Sequence, residues 1–313
     1  MKKLIDINNY PVSVVLNALV KDKTTGRNII FASTITTKSG IVYGKTEQIT
    51  ATMLRNLGSN LIQPRVAKSL EAQSMRTRDK AEVFTPSWIC NKMNNHCDAE
   101  WFGRENVFNV EDGQSWKTTT ARVKFVHDGD WQKYVDSKRI EITCGEAPYI
   151  VSRYDSTTAE IIPVKNRIGI LDRKLRVVNE NTDNEEDWLK WTYRAFQSVY
   201  GYEYQGDNLL IARINLLVTF VDYMKKRWNR EPTDAELRKV ANVIVWNFWQ
   251  MDGITGTVPF GNCVKDEKNP NIFDFAVGEN ENHSEEIECR IFDWTRQKSL
   301  TYRSIKGGRK NEV

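Results

Sequence analysis

Histidine is scarce in this chain: three residues among 313, at His96, His127 and His283. A His-based metal centre or a Ser-His-Asp triad would have to be assembled from these three, and none lies in a recognisable motif. Cysteine is nearly as rare. Cys90, Cys97, Cys144, Cys263 and Cys289 are odd in number, widely spaced and without a CxxC pair. That pattern suits neither a disulfide framework nor a zinc site, so no metal is expected. Free thiols fit a reducing compartment, and a cytoplasmic protein is expected. No apolar run approaches the ~20 residues that cross a bilayer, which excludes a membrane partner at this level. The start, MKKLIDINNYPVS, has polar Asp6, Asn8 and Asn9 where a signal peptide needs an unbroken apolar stretch. Charge of one sign is also lacking: 45 Lys and Arg against 41 Asp and Glu leave +4. So small an excess permits nucleic-acid binding without arguing for it, and excludes a polybasic protein.

Aromatic residues are plentiful. Ten tryptophans occur, some clustered with other rings as in Trp246, Phe248 and Trp249. Most such rings serve as core; the sharper reading is a stacking surface for a base or an adenine ring. A composition 40% hydrophobic and 27% charged supports an ordinary folded core.

The periodicities alternate. Pro11 to Leu19 suits a helix, and Asn28 to Ile35 is short and β-rich. Residues 63–80 read as a basic helix, with Arg65, Lys68, Arg76, Arg78 and Lys80 against Glu71 and Asp79. A solvated face is the ordinary reading of such a run, and a phosphate-contacting helix the sharper one. Val83 to Pro86 breaks that helix, and Trp88 begins another. Arg139 to Cys144 is a strand, Ile168 to Val178 a helix, and 179–188 an acidic linker. Val199 to Glu203 is a second strand, and Asp207 to Trp228 a long helix. Thr233 and Glu236 form a capping box that starts a further helix at Asp234. Asn247 to Thr257 and Ile272 to Val277 read as strand and loop. Strands alternating with helices predict an α/β fold with a mostly parallel sheet. The expected organisation is an N-terminal, mainly helical segment at 1–80, a main domain at 81–300 with an aromatic insert near 98–137, and a basic mobile tail at 301–313.

Four segments follow one another in an informative order: Phe84-Thr85-Pro86; Glu141 to Tyr149, with Cys144-Gly145 at its turn; Gly201-Tyr202-Glu203; and Asp252-Gly253. In a doubly wound sheet, ligands lie beyond the carboxyl ends of the strands. A glycine after the first strand admits a close backbone approach, and a carboxylate ending the second can accept hydrogen bonds from ribose hydroxyls. The plain alternatives are that Thr85-Pro86 starts a helix, that Glu203 pairs with an arginine, and that Asp252 opens a turn with Gly253.

In this order the segments resemble those of adenine-N6 DNA methyltransferases, the modification (M) subunits of restriction systems. Phe84, Thr85 and Pro86 match the family's aromatic-Thr-Pro element. Glu141, Cys144 and Gly145 match its first loop, Gly201 and Glu203 the end of its second strand, and Asp252 its third loop. The resemblance covers roughly residues 63–283. It implies a doubly wound, mostly parallel sheet of the S-adenosylmethionine-dependent, Rossmann-like type, with S-adenosylmethionine as cofactor. It further implies that Phe84, Thr85 and Pro86 line the methionine end of that cofactor. Glu141, Cys144, Gly145, Glu146 and Ala147 would wrap it, Glu203 would hold its ribose, and Asp252 the adenine amine.

The pattern breaks where the chemistry should be. The family's Asn-Pro-Pro-Tyr follows a strand; here Phe273 to Gly278 is followed by Glu279, Asn280, Glu281 and Asn282, with neither proline nor ring. Glu146-Ala147-Pro148-Tyr149 is a permuted alternative, and Asn269-Pro270 has no aromatic partner. Glu146 and Ala147 stand where the family has a small residue and a glycine. Two functions therefore stay open. One is a DNA adenine-N6 methyltransferase, or a modification subunit that gains its site from a restriction or specificity subunit. The other is an inactive protein of methyltransferase fold that binds DNA or a partner; methyl transfer to RNA or protein is a third possibility.

Overall fold

The computed structural model describes residues 4–37, 40–57, 61–80, 82–83, 85–261 and 286–307. The N-terminal part holds α1 (Val12–Leu19), the β1 (Ile35–Thr36) and β2 (Val42–Tyr43) ribbon, α2 (Ala51–Leu57) and α3 (Leu70–Lys80). Then come α4 (Ser87–Phe102), the hairpin β3 (Asn109–Asp112) and β4 (Ser115–Thr118), α5 (Asp130–Asp136) and β5 (Arg139–Glu141). The chain continues through α6 (Ile170–Asn181), α7 (Glu185–Gln197), β6 (Val199–Glu203), α8 (Gly206–Trp228), α9 (Asp234–Asn247) and β7 (Phe248–Gln250). It ends in the hairpin β8 (Arg290–Asp293) and β9 (Lys298–Thr301), then α10 (Tyr302–Gly307).

The architecture is mixed α/β around a small parallel sheet, in the order β5-β6-β7. Ile140 pairs with Tyr200, and Tyr202 with Trp249. Parallel neighbours need long crossovers, and helices supply them: α6 and α7 between β5 and β6, α8 and α9 between β6 and β7. The complete doubly wound sheet expected from the resemblance is not present among the described residues, which hold a parallel sheet of three strands. The expected strand at 273–277 lies outside those residues.

All five residues of β6 are buried, as the central strand of a covered parallel sheet must be. Helix α8 is apolar nearly all round, from Leu209 to Met224, because neighbours cover it on most sides. Its last turn carries Lys225, Lys226 and Arg227, which complement the helix dipole, and it ends at Asn229 in the left-handed region. The capping box at Thr233 and Glu236 is present. Val12, Leu16 and Leu19 of α1 join the same buried cluster as α8 and α9, so the N-terminal segment shares the core of the sheet region. Arg213 helps tie them: fully buried on α8, it donates to Leu19 O, Lys21 O and Phe248 O.

Three local readings change. The acidic stretch 179–188 is no linker: it holds the end of α6 and the first turn of α7. Asn184 caps α7 by accepting from Asp187 N, and Glu185, Glu186 and Asp187 face the positive end of its dipole. The basic helix starts at Leu70, after a 3₁₀ turn over Arg65–Ala67 that follows Pro64. Within the basic tail, Tyr302–Gly307 is helical, and Arg303 donates to Thr255 O; residues 308–313 lie outside the description.

The aromatic residues serve chiefly as core. Trp101, Phe102, Phe125 and Tyr134 pack ring against ring within the expected insert, and Trp188 and Trp249 are buried. No helix among the described residues is long and apolar enough to cross a membrane.

Candidate cofactor site

Strand β5 runs into a tight loop at 142–149 whose backbone alternates through the left-handed region. Thr143 has φ 46°, Gly145 φ 53° and Ala147 φ 64°. Cys144 N donates to Tyr202 O at 2.8 Å, which fastens the loop to β6. Ala147 N donates back to Cys144 O at 2.7 Å, and Ile150 N and Val151 N to Ala147 O. Ala147 therefore holds a backbone conformation that favours glycine. Gly201 is explained by packing: a Cβ there would lie 2.7 Å from the Phe248 ring and 3.2 Å from Cys144 Cβ.

Glu203 ends β6. Its Oε2 accepts from Gly145 N at 2.8 Å and its Oε1 from Gln205 N at 2.9 Å. Among the described residues no arginine pairs with it, so there the salt bridge read from the sequence is absent. Burial pushes the Glu203 carboxyl up, against the pull of these two amides. Glu141 turns inward as well. Its Oε1 lies 3.4 Å from Tyr149 N, while its Oε2 is buried with no hydrogen-bond partner among the described residues. Burial raises this carboxyl well above its usual range, with the nearby Glu203 adding to the shift.

Glu146 does not line the loop's open side. Its Oε1 accepts from Arg65 N at 2.7 Å and its Oε2 from Tyr154 OH at 2.6 Å, so it pins the loop to the 3₁₀ turn. The buried Cys144 thiol is pushed well up, which suits packing and not nucleophilic attack. Thr85 contributes its carbonyl, which accepts from Ser156 Oγ at 2.8 Å, and Pro86 starts α4. Phe84 lies outside the described residues, as do Asn269, Pro270 and the degenerate segment Glu279, Asn280, Glu281 and Asn282. Asp252 caps its own turn: Oδ1 accepts from Ile254 N at 2.9 Å and Thr255 N at 3.3 Å. The structure thus brings Glu141, Cys144, Gly145 and Glu203 together, and gives Asp252 the turn role.

The sequence reading missed the polar cluster beside Glu203. Asp207, in the first turn of α8, meets Arg76 Nη1 at 2.7 Å and Lys68 Nζ at 3.5 Å. Arg76 Nε also pairs with Glu82 Oε2, and its Nη2 reaches Asn208 Oδ1 at 3.2 Å. The cations of the basic segment therefore include two that turn inward to carboxylates. Adjacent Asp207-Asn208 at a helix start, just past a strand-ending acid, was the available signal. Among the described residues no cluster of His, Cys, Asp and Glu could hold a metal. Comparison of the chain with family models, with curated proteins and with solved structures finds no match.

Proposed function

We propose that this protein binds S-adenosylmethionine at the carboxyl ends of β5 and β6, and that it is a DNA adenine-N6 methyltransferase or a modification subunit of one. The observation that carries the reading is Glu203: a buried carboxylate ending the middle strand, bonded to the amide of Gly145 in a left-handed loop. Chain elements of this kind let a loop pass close to a nucleoside and let an acid take its ribose hydroxyls. The residues present fit such a group. Glu141 Oε2 and Gln205 Oε1 are buried acceptors with no donor among the described residues, and hydroxyl or ammonium donors of the cofactor would satisfy them.

When bound, the cofactor supplies an activated methyl group. Glu203 would hold and orient its ribose, the 143–147 loop would exclude water from one side, and Glu146 would keep that loop fixed through Arg65 and Tyr154. Calorimetric titration of S-adenosylmethionine into the full chain tests the binding step. Micromolar binding that is lost in Glu203→Ala supports the reading; no heat with wild type refutes it. Mass spectrometry of DNA from expressing cells tests the transfer. Cofactor binding without N6-methyladenine would favour the second reading, a protein of this fold that binds DNA or a partner without turnover. The observation favouring that reading is the sequence Glu279 to Asn282, which lacks the proline and ring.

A further inference from the structure

Away from that site, the surface between the 3₁₀ turn Val164–Asn166, α6 and α8 carries two adjoining recesses, of about 160 and 380 Å³. They share Val164, Arg167 and Lys226, so they form one groove. Seven cationic side chains line it in all, against two carboxylates, Asp172 and Asp222. Asp98, Glu180 and Glu231 pair with three of these cations, so the groove keeps an excess of two positive charges.

Much of this charge is already paired. Arg173 meets Asp98 at 2.6 Å, Arg176 meets Glu180 at 2.7 Å, and Lys225 meets Glu231 at 3.3 Å. Arg153 and Arg167 both face Asp222, with Asp172 a second carboxylate near them. Arg167 Nη2 donates to Asp222 Oδ2, and Arg153 Nε lies 3.8 Å from the same oxygen. The Arg167 side chain is only 5% exposed, yet its Nη1 has no hydrogen-bond partner among the described residues. A buried guanidinium with an unused donor is costly unless something accepts from it. At the rim, Lys165 and Lys226 are exposed and form no ion pair with described residues.

We propose that this groove binds phosphate groups, with Arg167 as the buried anchor and Lys165 and Lys226 as the outer contacts. A planar guanidinium with a free donor suits phosphate oxygens, and flexible lysines suit the charge of a neighbouring phosphate. Two contiguous recesses, with Lys165 and Lys226 beside Arg167, offer more than one phosphate needs, which favours the backbone of a polynucleotide strand as the source. The groove also connects to the loop at 143–147. Arg153 Nη1 donates to Asn215 Oδ1 at 2.9 Å, and Asn215 Nδ2 donates to Glu146 O at 3.1 Å. The inference stands apart from the cofactor reading, since no residue named for the groove holds the cofactor there.

The test uses the full chain and a fluorescein-labelled single-stranded oligonucleotide, with anisotropy read over a range of salt. The variant is Lys165→Gln/Lys226→Gln, whose exposed positions leave the core untouched; Arg167→Gln follows, with circular dichroism to check its fold. Losing two phosphate contacts on a single strand should lower the slope of log K against log salt by about 1.4, which at 0.1 M salt is about 25-fold in affinity. Inorganic phosphate and AMP are titrated separately by thermal shift. If the oligonucleotide binds and the double variant loses both affinity and slope, the polynucleotide source is supported. If only phosphate or AMP stabilises wild type, and not the double variant, the phosphate chemistry holds with a free phosphate compound as its source. Wild-type affinity and slope in the double variant, or no response of wild type to any probe, would overturn the proposal. Calorimetry with S-adenosylmethionine reads the other site, so the two readings can fail independently.

Discussion

Replacing Gly206 by alanine sets two effects of opposite sign against each other. Alanine is the better helix former, by up to about 1 kcal/mol, so propensity alone predicts a more stable α8. The surroundings forbid it. A Cβ on Gly206 would stand 1.9 Å from Ile30 O and 2.9 Å from Ile30 C. Restoring an ordinary carbon-to-oxygen contact of about 3.3 Å requires a shift of more than ~1 Å. Ile30 is poorly placed to retreat, because Gln250 holds its peptide from both sides. Ile30 N donates to Gln250 Oε1, and Ile30 O accepts from Gln250 Nε2, each at 2.9 Å. Overpacking costs about 1–3 kcal/mol, and strain on two hydrogen bonds adds up to about 1 kcal/mol each. The balance is a loss of about 2–3 kcal/mol, read from urea denaturation followed by circular dichroism. Gly44→Ala is the control: nothing stands within 4 Å of its Cβ, and its change should stay within about 0.5 kcal/mol. A Gly206→Ala protein as stable as wild type would refute the close approach of α8 to the N-terminal segment.

Three further outcomes are expected. Ala147→Gly relieves a left-handed alanine but gives up a buried methyl, two effects of about 1 kcal/mol each, so its melting point should barely move, whereas Ala147→Val should lose well over 1 kcal/mol. Thr233→Ala removes the N-cap of α9 and should cost about 1 kcal/mol by the same denaturation assay, with Arg238→Ala as a surface control. Glu203→Gln should change the pH dependence of stability. Burial places the folded carboxyl above its unfolded value of 4.5, so the folded chain binds more protons in the window just above 4.5 and loses stability as pH rises through it. The glutamine variant lacks that loss, so its stability should gain on wild type from pH 4.5 upward; a constant difference would show that burial does not hold the carboxyl up.

The elements that were legible in the sequence are those with a local signature. The capping box at Thr233 and Glu236, the apolar wheel of α8 and the β-branched or aromatic strands at 139 and 199 all gave their type and near-correct ends. Helix α7 was hidden because its first turn is acidic, and acid clusters read as linker unless the dipole they face is known. Hairpin β8–β9 depends on tertiary partners: Trp294 Nε1 donates to Asn247 Oδ1, and Cys289 N to Gly256 O. At the site, the order of Gly145 and Glu203 was readable. The turning of Glu146 toward Arg65 was not, since it rests on a contact 81 residues distant in sequence.

The energetics of the strand ends point the same way as their geometry. Burial opposes the ionisation of both Glu141 and Glu203, with Glu203 adding to the effect on Glu141 and Asp207 to that on Glu203. Glu141 Oε2 and Gln205 Oε1 are buried with no donor among the described residues, and each such atom costs about 1–3 kcal/mol. Glu141 and Glu203 sit at the carboxyl ends of β5 and β6, beside a loop whose alanine keeps a glycine's conformation. A ligand that donates two hydrogen bonds would recover part of that cost on binding, so its stabilisation should exceed that of an analogue without the hydroxyls by about 1 kcal/mol or more.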